Sequence, residues 1–165
     1  MEKVEVQDIT YMPDGLFDAL GRVSVRYGQI EHFLTLTIKR TDQKMVWDQA
    51  FAFVEKLRYS NKIREEARRR FNAWADEHFD EIIAEKEKRK FRAAVNDWKK
   101  LAARRGEIVH CCWSVGRNGN LNATRRGKIL RDDTGRPVDV AYVNRLADRM
   151  HSLAARLNAA TLPNP

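Results

Sequence analysis

The chain has 165 residues, the length of one ordinary domain, and 43% of them are hydrophobic, as expected of a folded protein. A chain of this size buries enough surface to fold without a disulfide or a structural metal. With only eight Gly and four Pro it is neither collagen-like, linker-like nor low in complexity. The net charge of +8 favours a polyanionic partner, although a basic, solvated surface accounts for that charge equally well.

The opening residues 1–8 are charged and lack the apolar core of a signal peptide, and no apolar run reaches the ~20 residues of a membrane span. The only two cysteines, Cys111 and Cys112, are adjacent, and a disulfide between neighbouring residues is strained. We therefore expect a cytoplasmic, reduced protein that does not associate with a membrane.

Three helices are predicted in the first half of the chain. Apolar side chains at steps of four and three place one stripe on a helix over residues 14–40, with Asp14 as its cap. Thr41-Asp42 breaks this pattern and can cap a second helix, and Ser60 is the expected cap of a third. The predicted inward residues are Leu16, Leu20, Val23, Tyr27, Ile30, Leu34, Thr37 or Ile38, then Trp47, Ala50 or Phe51, Val54 and Leu57, then Ile63, Ala67, Phe71 and Trp74.

A fourth helix is predicted beyond a segment that is dense in charges of both signs. This segment covers residues 76–90, and we expect the third helix to end and the fourth to begin near 76–80. The apolar stripe of the fourth helix consists of Phe91, Ala94, Trp98, Leu101, Ile108 and Cys112.

The helical period stops after Trp113, and two turns are predicted before a last helix at about 139–160. Asn118-Gly119 lies between short alternating arms, and Asn-Gly supplies the positive φ angles of a tight hairpin turn. Residues 133–137 have the composition of a second turn. The sequence thus predicts a mainly α fold: a single domain over 1–165, built as an antiparallel four- or five-helix bundle with a small β-hairpin insertion at about 113–137.

Arg105 interrupts the apolar stripe of the fourth helix. At about 100° per residue, it lies within about 20° of the direction shared by Trp98 and Cys112. A guanidinium on a core face is costly unless it is paired, or unless that face looks onto a cleft or a partner. The alternative is snorkelling at the edge of the apolar contact, and Gly106 can also bend the helix and release Arg105 from this face.

His110 follows near the predicted end of the same helix. Five residues turn about 140° round a helix, so the Arg105 and His110 side chains flank a groove rather than stack. The run His110-Cys111-Cys112 lacks the ligand spacing of a zinc site, and no second ligand pair is visible. Neither cysteine is a strong candidate nucleophile, and we expect neither a metal nor a cofactor.

The segment Arg105-Gly-Glu-Ile-Val-His110, followed by Cys-Cys-Trp113, resembles the motif of the HEPN superfamily, an Arg separated by four to six residues from a His. Members are small helical bundles, and many are metal-independent RNases of toxin–antitoxin and defence systems. The segment Gly28-Gln-Ile-Glu31-His-Phe-Leu34 is also similar to the Glu-containing first helix of many members. In the family two chains bring their motifs together across a symmetric interface, so the resemblance implies a homodimer that acts on RNA.

The resemblance makes Arg105 and His110 the candidate catalytic residues. Cleavage of RNA by its own 2′-hydroxyl requires that a proton be removed from that hydroxyl. It also requires that the negative charge on the phosphorane oxygens be stabilised. A histidine, with an unperturbed pKa near ~6.5, suits proton transfer, and a guanidinium holds two phosphate oxygens at once. Glu31 is a supporting candidate that can orient Arg105 or His110 if the first helix packs against the fourth, and Arg104 is a second supporting candidate.

Basic residues concentrate around this motif. Residues 99–136 hold ten Lys and Arg against three Asp and Glu, so the segment carries +7 of the net +8. This excess suits binding to a phosphate backbone. The alternative interpretation is a solvated loop whose arginines bind no ligand. The candidate RNA-binding residues are Arg117, Arg125, Arg126 and Lys128, with help from Arg104.

One position departs from the family pattern, because active members often carry Asn, Asp or His directly after the motif Arg, where this chain has Gly106. The resemblance implies a metal-independent endoribonuclease of toxin–antitoxin or phage-defence type, for which an antitoxin or defence-complex protein is a possible partner. The alternative is a catalytically inactive dimer module that binds RNA, a nucleotide or a protein. A third interpretation is a structural dimer domain of a larger defence complex.

Overall fold

The computed structural model describes residues 12–115 and 120–161, which form five helices and a small antiparallel sheet. The helices are α1 (Leu16–Thr41), α2 (Trp47–Leu57), α3 (Asn61–His78), α4 (Glu81–Val109) and α5 (Val140–Thr161). Three strands lie between α4 and α5, namely β1 (Cys112–Val115), β2 (Leu121–Arg125) and β3 (Lys128–Ile129). The predicted mainly α bundle with a small β insertion before the last helix is confirmed.

The core of the bundle is built around α1, which packs against all four other helices and most extensively against α5. Its predicted stripe is buried except for the partly buried Leu20, and Val23, Ile30 and Leu34 are each fully removed from solvent. The contacts of α3 with α4, and of α4 with α5, complete the bundle. Removal of these apolar side chains from water is the main favourable contribution to the fold.

Side-chain caps fix the starts of three helices. Ser60, Asp80 and Asp139 each accept a hydrogen bond from the backbone N–H three residues further on, at 3.3, 3.0 and 2.6 Å. These bonds satisfy amide groups that have no partner within the helix. The predicted cap at Ser60 and the predicted break near 76–80 are confirmed, because α3 ends at His78 and α4 begins at Glu81.

The predicted starts of α1 and α2 are wrong. Gly15, rather than Asp14, precedes α1, and its φ of +80° lies in the left-handed region that favours glycine. The helix α1 continues through Thr41, and Asp42 pairs with Arg70 of α3 at 2.8 Å instead of capping α2.

The inward stripe of α2 also starts later than predicted. Trp47 is the first residue of that helix and is 45% exposed, because the buried face begins one turn later at Ala50. Of the two alternatives at the next inward position, Ala50 is buried and Phe51 is exposed. An exposed tryptophan next to an exposed phenylalanine leaves an apolar surface at this end of the bundle.

The helix α4 ends earlier than predicted, one residue before His110. Cys112 lies in β1 with an exposed side chain, so the apolar stripe stops at Ile108. The Ile108 carbonyl accepts hydrogen bonds from Cys111 Sγ at 3.1 Å and from Trp113 Nε1 at 3.2 Å. Two side chains thus satisfy a carbonyl at the helix end while the backbone turns into the sheet.

The insertion is a three-stranded sheet in the order β1-β2-β3, with Trp113 opposite Ala123 in the first pair. The predicted turn at Asn118-Gly119 lies outside the described residues. The predicted turn over 133–137 is confirmed, because the Asp132 carboxylate accepts from the backbone N–H groups of Thr134 and Arg136, both at 2.9 Å. These hydrogen bonds hold the chain as it leaves the sheet and approaches α5.

Candidate functional site

Arg105 lies where α4 packs on α1, half-buried rather than sealed in the core. Its guanidinium carbon is 5.0 Å from the centroid of the Tyr27 ring, within the range of a cation–π contact. Its Nε is buried and has no hydrogen-bond partner among the described residues. The side chain that breaks the apolar stripe is therefore held against an aromatic ring and has unused hydrogen-bonding capacity.

Tyr27 is shared by a second guanidinium. Arg58, directly after α2, places its guanidinium carbon 5.9 Å from the centroid of the same ring. Glu31, one turn further along α1 than Tyr27, pairs with Arg58 at 3.5 Å. Two guanidinium groups and one carboxylate thus surround one phenol, and the cluster of Tyr27, Glu31, Arg58 and Arg105 carries one net positive charge.

The cluster contains polar atoms that the described residues do not satisfy. The Nε atoms of Arg58 and Arg105 are buried without a hydrogen-bond partner there, and the buried Tyr27 hydroxyl has only the neighbouring Glu31 carboxylate to interact with. Burial raises the pKa of the Tyr27 phenol, and the neighbouring Glu31 carboxylate raises it further, so the hydroxyl stays protonated at neutral pH. Buried polar groups are normally hydrogen-bonded, so these unsatisfied donors distinguish the cluster from an ordinary core contact.

Sequence analysis missed Tyr27 and Arg58 as members of this site. Tyr27 was assigned to the apolar stripe, and its ring is indeed buried. The available signal was its spacing of four from Glu31, which puts a hydroxyl and a carboxylate on one face of α1. No spacing in the sequence places Arg58 beside them, because that contact depends on how α2 folds back on α1.

The structure directs Glu31 toward Arg58. In the described part of the chain, no hydrogen bond or ion pair joins Glu31 to Arg105 or to His110. The helices α1 and α4 do pack together, which is the condition under which Glu31 was expected to help. Its connection to Arg105 passes through the Tyr27 ring and Arg58 rather than through a direct bond.

His110 is exposed and follows the last residue of α4. Its imidazole makes no hydrogen bond, ion pair or ring contact with any other described residue. It is separated from Arg105 by about 140° of helical rotation and about 7.5 Å along the axis. The imidazole is therefore accessible from solvent, and no hydrogen bond joins it to Arg105.

Arg104 is held by two carboxylates. Its guanidinium pairs with Glu107 and with Asp133, both at 2.8 Å, and Asp133 also pairs with Arg149 at 3.1 Å. The hydrogen bond from Arg104 holds the pKa of Asp133 below its ordinary value. This network ties α4 and α5 to the turn before α5, so the Arg104 charge is largely occupied within the protein.

The other basic candidates lie around the turn between β2 and β3. Arg126 and Gly127 form this turn with φ values of +50° and +75°, the two positive angles of a tight hairpin. Arg125, Arg126 and Lys128 make no ion pair with another residue in the described ranges, and the last two are exposed. Arg117 lies outside the described residues. The turn thus presents unpaired cations to solvent.

Cys111 is not prepared to act as a nucleophile. Burial raises the pKa of its thiol to about 11, so the reactive thiolate is scarce at neutral pH. Its Sγ is already engaged with the Ile108 carbonyl. Within residues 12–115 and 120–161, no three His, Cys, Asp or Glu side chains come together in a way that could hold a metal ion.

Comparisons of the chain with protein-family models, with curated proteins and with solved structures found no match. Among the described helices, none is both long and apolar enough to cross a membrane.

Proposed function

We propose that this protein is a metal-independent endoribonuclease that acts as a homodimer, with His110 in proton transfer and Arg105 on the phosphate. One observation carries the proposal. The exposed His110 imidazole directly follows the helix that holds Arg105, and neither side chain makes an ion pair with another described residue. A titratable base and a fixed cation at one helix end are the two groups that this chemistry needs.

In the proposed reaction, the 2′-oxygen of the RNA attacks the adjacent phosphorus and the bond to the 5′-oxygen breaks. One proton leaves the 2′-hydroxyl and one proton is delivered to the departing 5′-oxygen, which leaves a 2′,3′-cyclic phosphate. A neutral imidazole can accept the first proton, and a protonated imidazole can donate the second, so one imidazole cannot fill both roles at the same moment. A second His110 from the partner in a symmetric dimer would supply the other role.

Arg105 is suited to the phosphate because its position is held before a ligand arrives. The Tyr27 ring lies against the guanidinium, and Arg58 and Glu31 pack around the same ring. A planar guanidinium can donate two parallel hydrogen bonds to two phosphate oxygens, which an ammonium group cannot do. We assign Tyr27 and Arg58 as positioning residues for Arg105.

The unpaired cations of the β2–β3 turn are proposed to bind the RNA backbone. Replacing Arg126 and Lys128 together by Gln is expected to flatten the plot of log binding constant against log salt concentration by about 1.4, because each phosphate contact on a single strand contributes ~0.7. The double variant Lys62→Gln/Arg92→Gln is the matched control, because it removes two exposed cations of α3 and α4 that make no ion pair with any described residue. Fluorescence anisotropy over a salt series measures both slopes.

Thermal stability should change little in either double variant, because all four side chains are exposed. Equal slopes for the two double variants would show that the turn makes no specific contribution. RNA binding that does not depend on salt would show that these cations are solvated and do not contact RNA phosphates.

The setting we propose, a toxin–antitoxin or phage-defence system with an antitoxin or defence-complex protein as partner, follows from the resemblance of the Arg105–His110 motif. A second candidate function is a catalytically inactive module that binds RNA or another anion. The observation that favours it is the lack of a hydrogen bond between Arg105 and His110, together with Gly106, which brings no polar group to the site. A Cβ at position 106 would meet nothing within 4 Å, so the glycine is not required by packing.

A further inference from the structure

A groove of about 910 Å³ lies at the end of the bundle remote from His110. It is bounded by the end of α1, the start of α2, the end of α3 and the first part of α4. Lys90 lines the groove, and the rise of α4 places it about 30 Å along the helix axis from His110. A smaller cavity of about 280 Å³ lies beside it and shares Lys90 and Ala159 in its lining.

Aromatic rings form much of the wall of this groove. The rings of Trp74 and His78 stack with centroids 5.0 Å apart, and Phe79 meets Trp74 edge-on at 5.4 Å. Trp47 of α2 also lines the groove and is 45% exposed. The packing of Trp74 is thus fixed by its neighbours, while exposed His78 and Trp47 present ring surface to a ligand.

The lining of the groove is positively charged. It contains Lys39, Arg40, Lys86 and Lys90 against one acidic residue, Glu87. Lys90 pairs with Glu87 at 2.6 Å, and Lys39 Nζ donates to the Gln43 carbonyl at 3.1 Å. Arg40 and Lys86 have no hydrogen bond or ion pair with the other described residues. Two unpaired cations therefore lie beside accessible aromatic rings.

We propose that this groove binds a segment of single-stranded RNA, with bases stacked on Trp47 and His78 and backbone phosphates on Arg40 and Lys86. Stacking rings combined with a cationic lining are the features by which proteins hold single strands without reading their sequence. The groove spans the ends of α1 and α3, the start of α2 and the first part of α4, and this extent favours a strand over a single nucleotide. A second copy of this chain is disfavoured as occupant because two positively charged linings would repel each other.

The proposal rests on the proposed function for its choice of RNA, but it concerns a separate surface. Binding is measured with a fluorescein-labelled octa-adenylate RNA and with AMP, in the His110→Ala variant so that the RNA stays intact. Adding Arg40→Ser and Lys86→Ser is expected to weaken octa-adenylate binding at least tenfold. Arg92→Ser with Lys62→Ser changes the charge equally at exposed positions and should have a much smaller effect.

The aromatic contact is tested separately. Trp47→Ala is expected to weaken octa-adenylate binding roughly 5- to 100-fold, the range for loss of one base–aromatic stack. Phe17→Ala, at a position that is 70% exposed on α1, is the control for loss of a surface ring and should leave binding unchanged. Far-UV circular dichroism confirms that each variant keeps its helices.

Equal affinities of the groove and control variants for octa-adenylate would overturn the proposal. So would equal affinity for AMP and octa-adenylate, which would indicate a mononucleotide site, or preference for an octaglutamate peptide, which would indicate an acidic protein partner. If wild-type protein cleaves RNA and the groove variants bind normally, only this inference fails. If the groove binds RNA as described and the wild type cleaves none, only the proposed function fails.

Discussion

The His110→Ala variant is expected to cleave RNA about 10²–10⁴-fold more slowly than the wild type in buffer containing EDTA, the usual loss when one proton-transfer group is removed. The fold should persist because the side chain is exposed and makes no hydrogen bond, ion pair or ring contact with other described residues. Initial rates with a labelled RNA, together with the midpoint of thermal unfolding, measure the two effects separately.

His151→Ala is the matched control, since His151 is an exposed histidine on α5 without a partner in the described ranges. It should cleave RNA at the wild-type rate. Arg105→Lys should lose most activity as well, because an ammonium keeps the charge but not the two-point phosphate contact. If His110→Ala cleaves RNA at the wild-type rate, His110 does not take part in catalysis.

The largest effect on stability is expected at Trp98. This side chain of α4 is fully buried, so Trp98→Ala should lower the free energy of unfolding by about 3–5 kcal/mol through lost apolar contact and the cavity left behind. Its Nε1 is buried without a hydrogen-bond partner among the described residues, so the indole N–H does not contribute a hydrogen bond to stability. Denaturant unfolding monitored by circular dichroism gives this free energy.

Two control variants test whether the loss of stability comes from the burial of Trp98. Trp98→Phe keeps much of the apolar contact and removes the unpartnered N–H, so its loss should be well below that of Trp98→Ala. Trp47→Ala removes a tryptophan that is 45% exposed and should cost far less. Similar losses for Trp98→Ala and Trp47→Ala would contradict the assignment of Trp98 to the core.

Much of the helical architecture could be predicted, because burial imposes a period that the sequence displays. The α1 stripe from Leu16 to Ile38 and the cap at Ser60 are examples. The end of α4 could not be predicted, since the side chains that satisfy the Ile108 carbonyl come from beyond the helix. Trp47 fits the helical period of α2, yet it precedes the point at which that helix meets the core.

The candidate site was only partly accessible from the sequence. Arg105 stood out because a charge on an apolar stripe violates the pattern around it, and the structure places it at the edge of the core. Arg58 carries no such local signal, and its role depends on a tertiary contact with Tyr27. The aromatic groove was missed for the same reason, because Trp47 and His78 come from different helices and meet only in the folded bundle.

The most direct measurement is the incubation of purified wild-type protein with RNA in EDTA, followed by analysis of the product ends. Cleavage is expected to proceed without metal, to leave 2′,3′-cyclic phosphates, and to spare DNA of the same sequence, because DNA lacks the attacking 2′-hydroxyl. Intact RNA across a broad panel at high protein concentration, or equal cleavage of the DNA, would contradict the assignment of this protein as an RNase that uses the substrate's own hydroxyl.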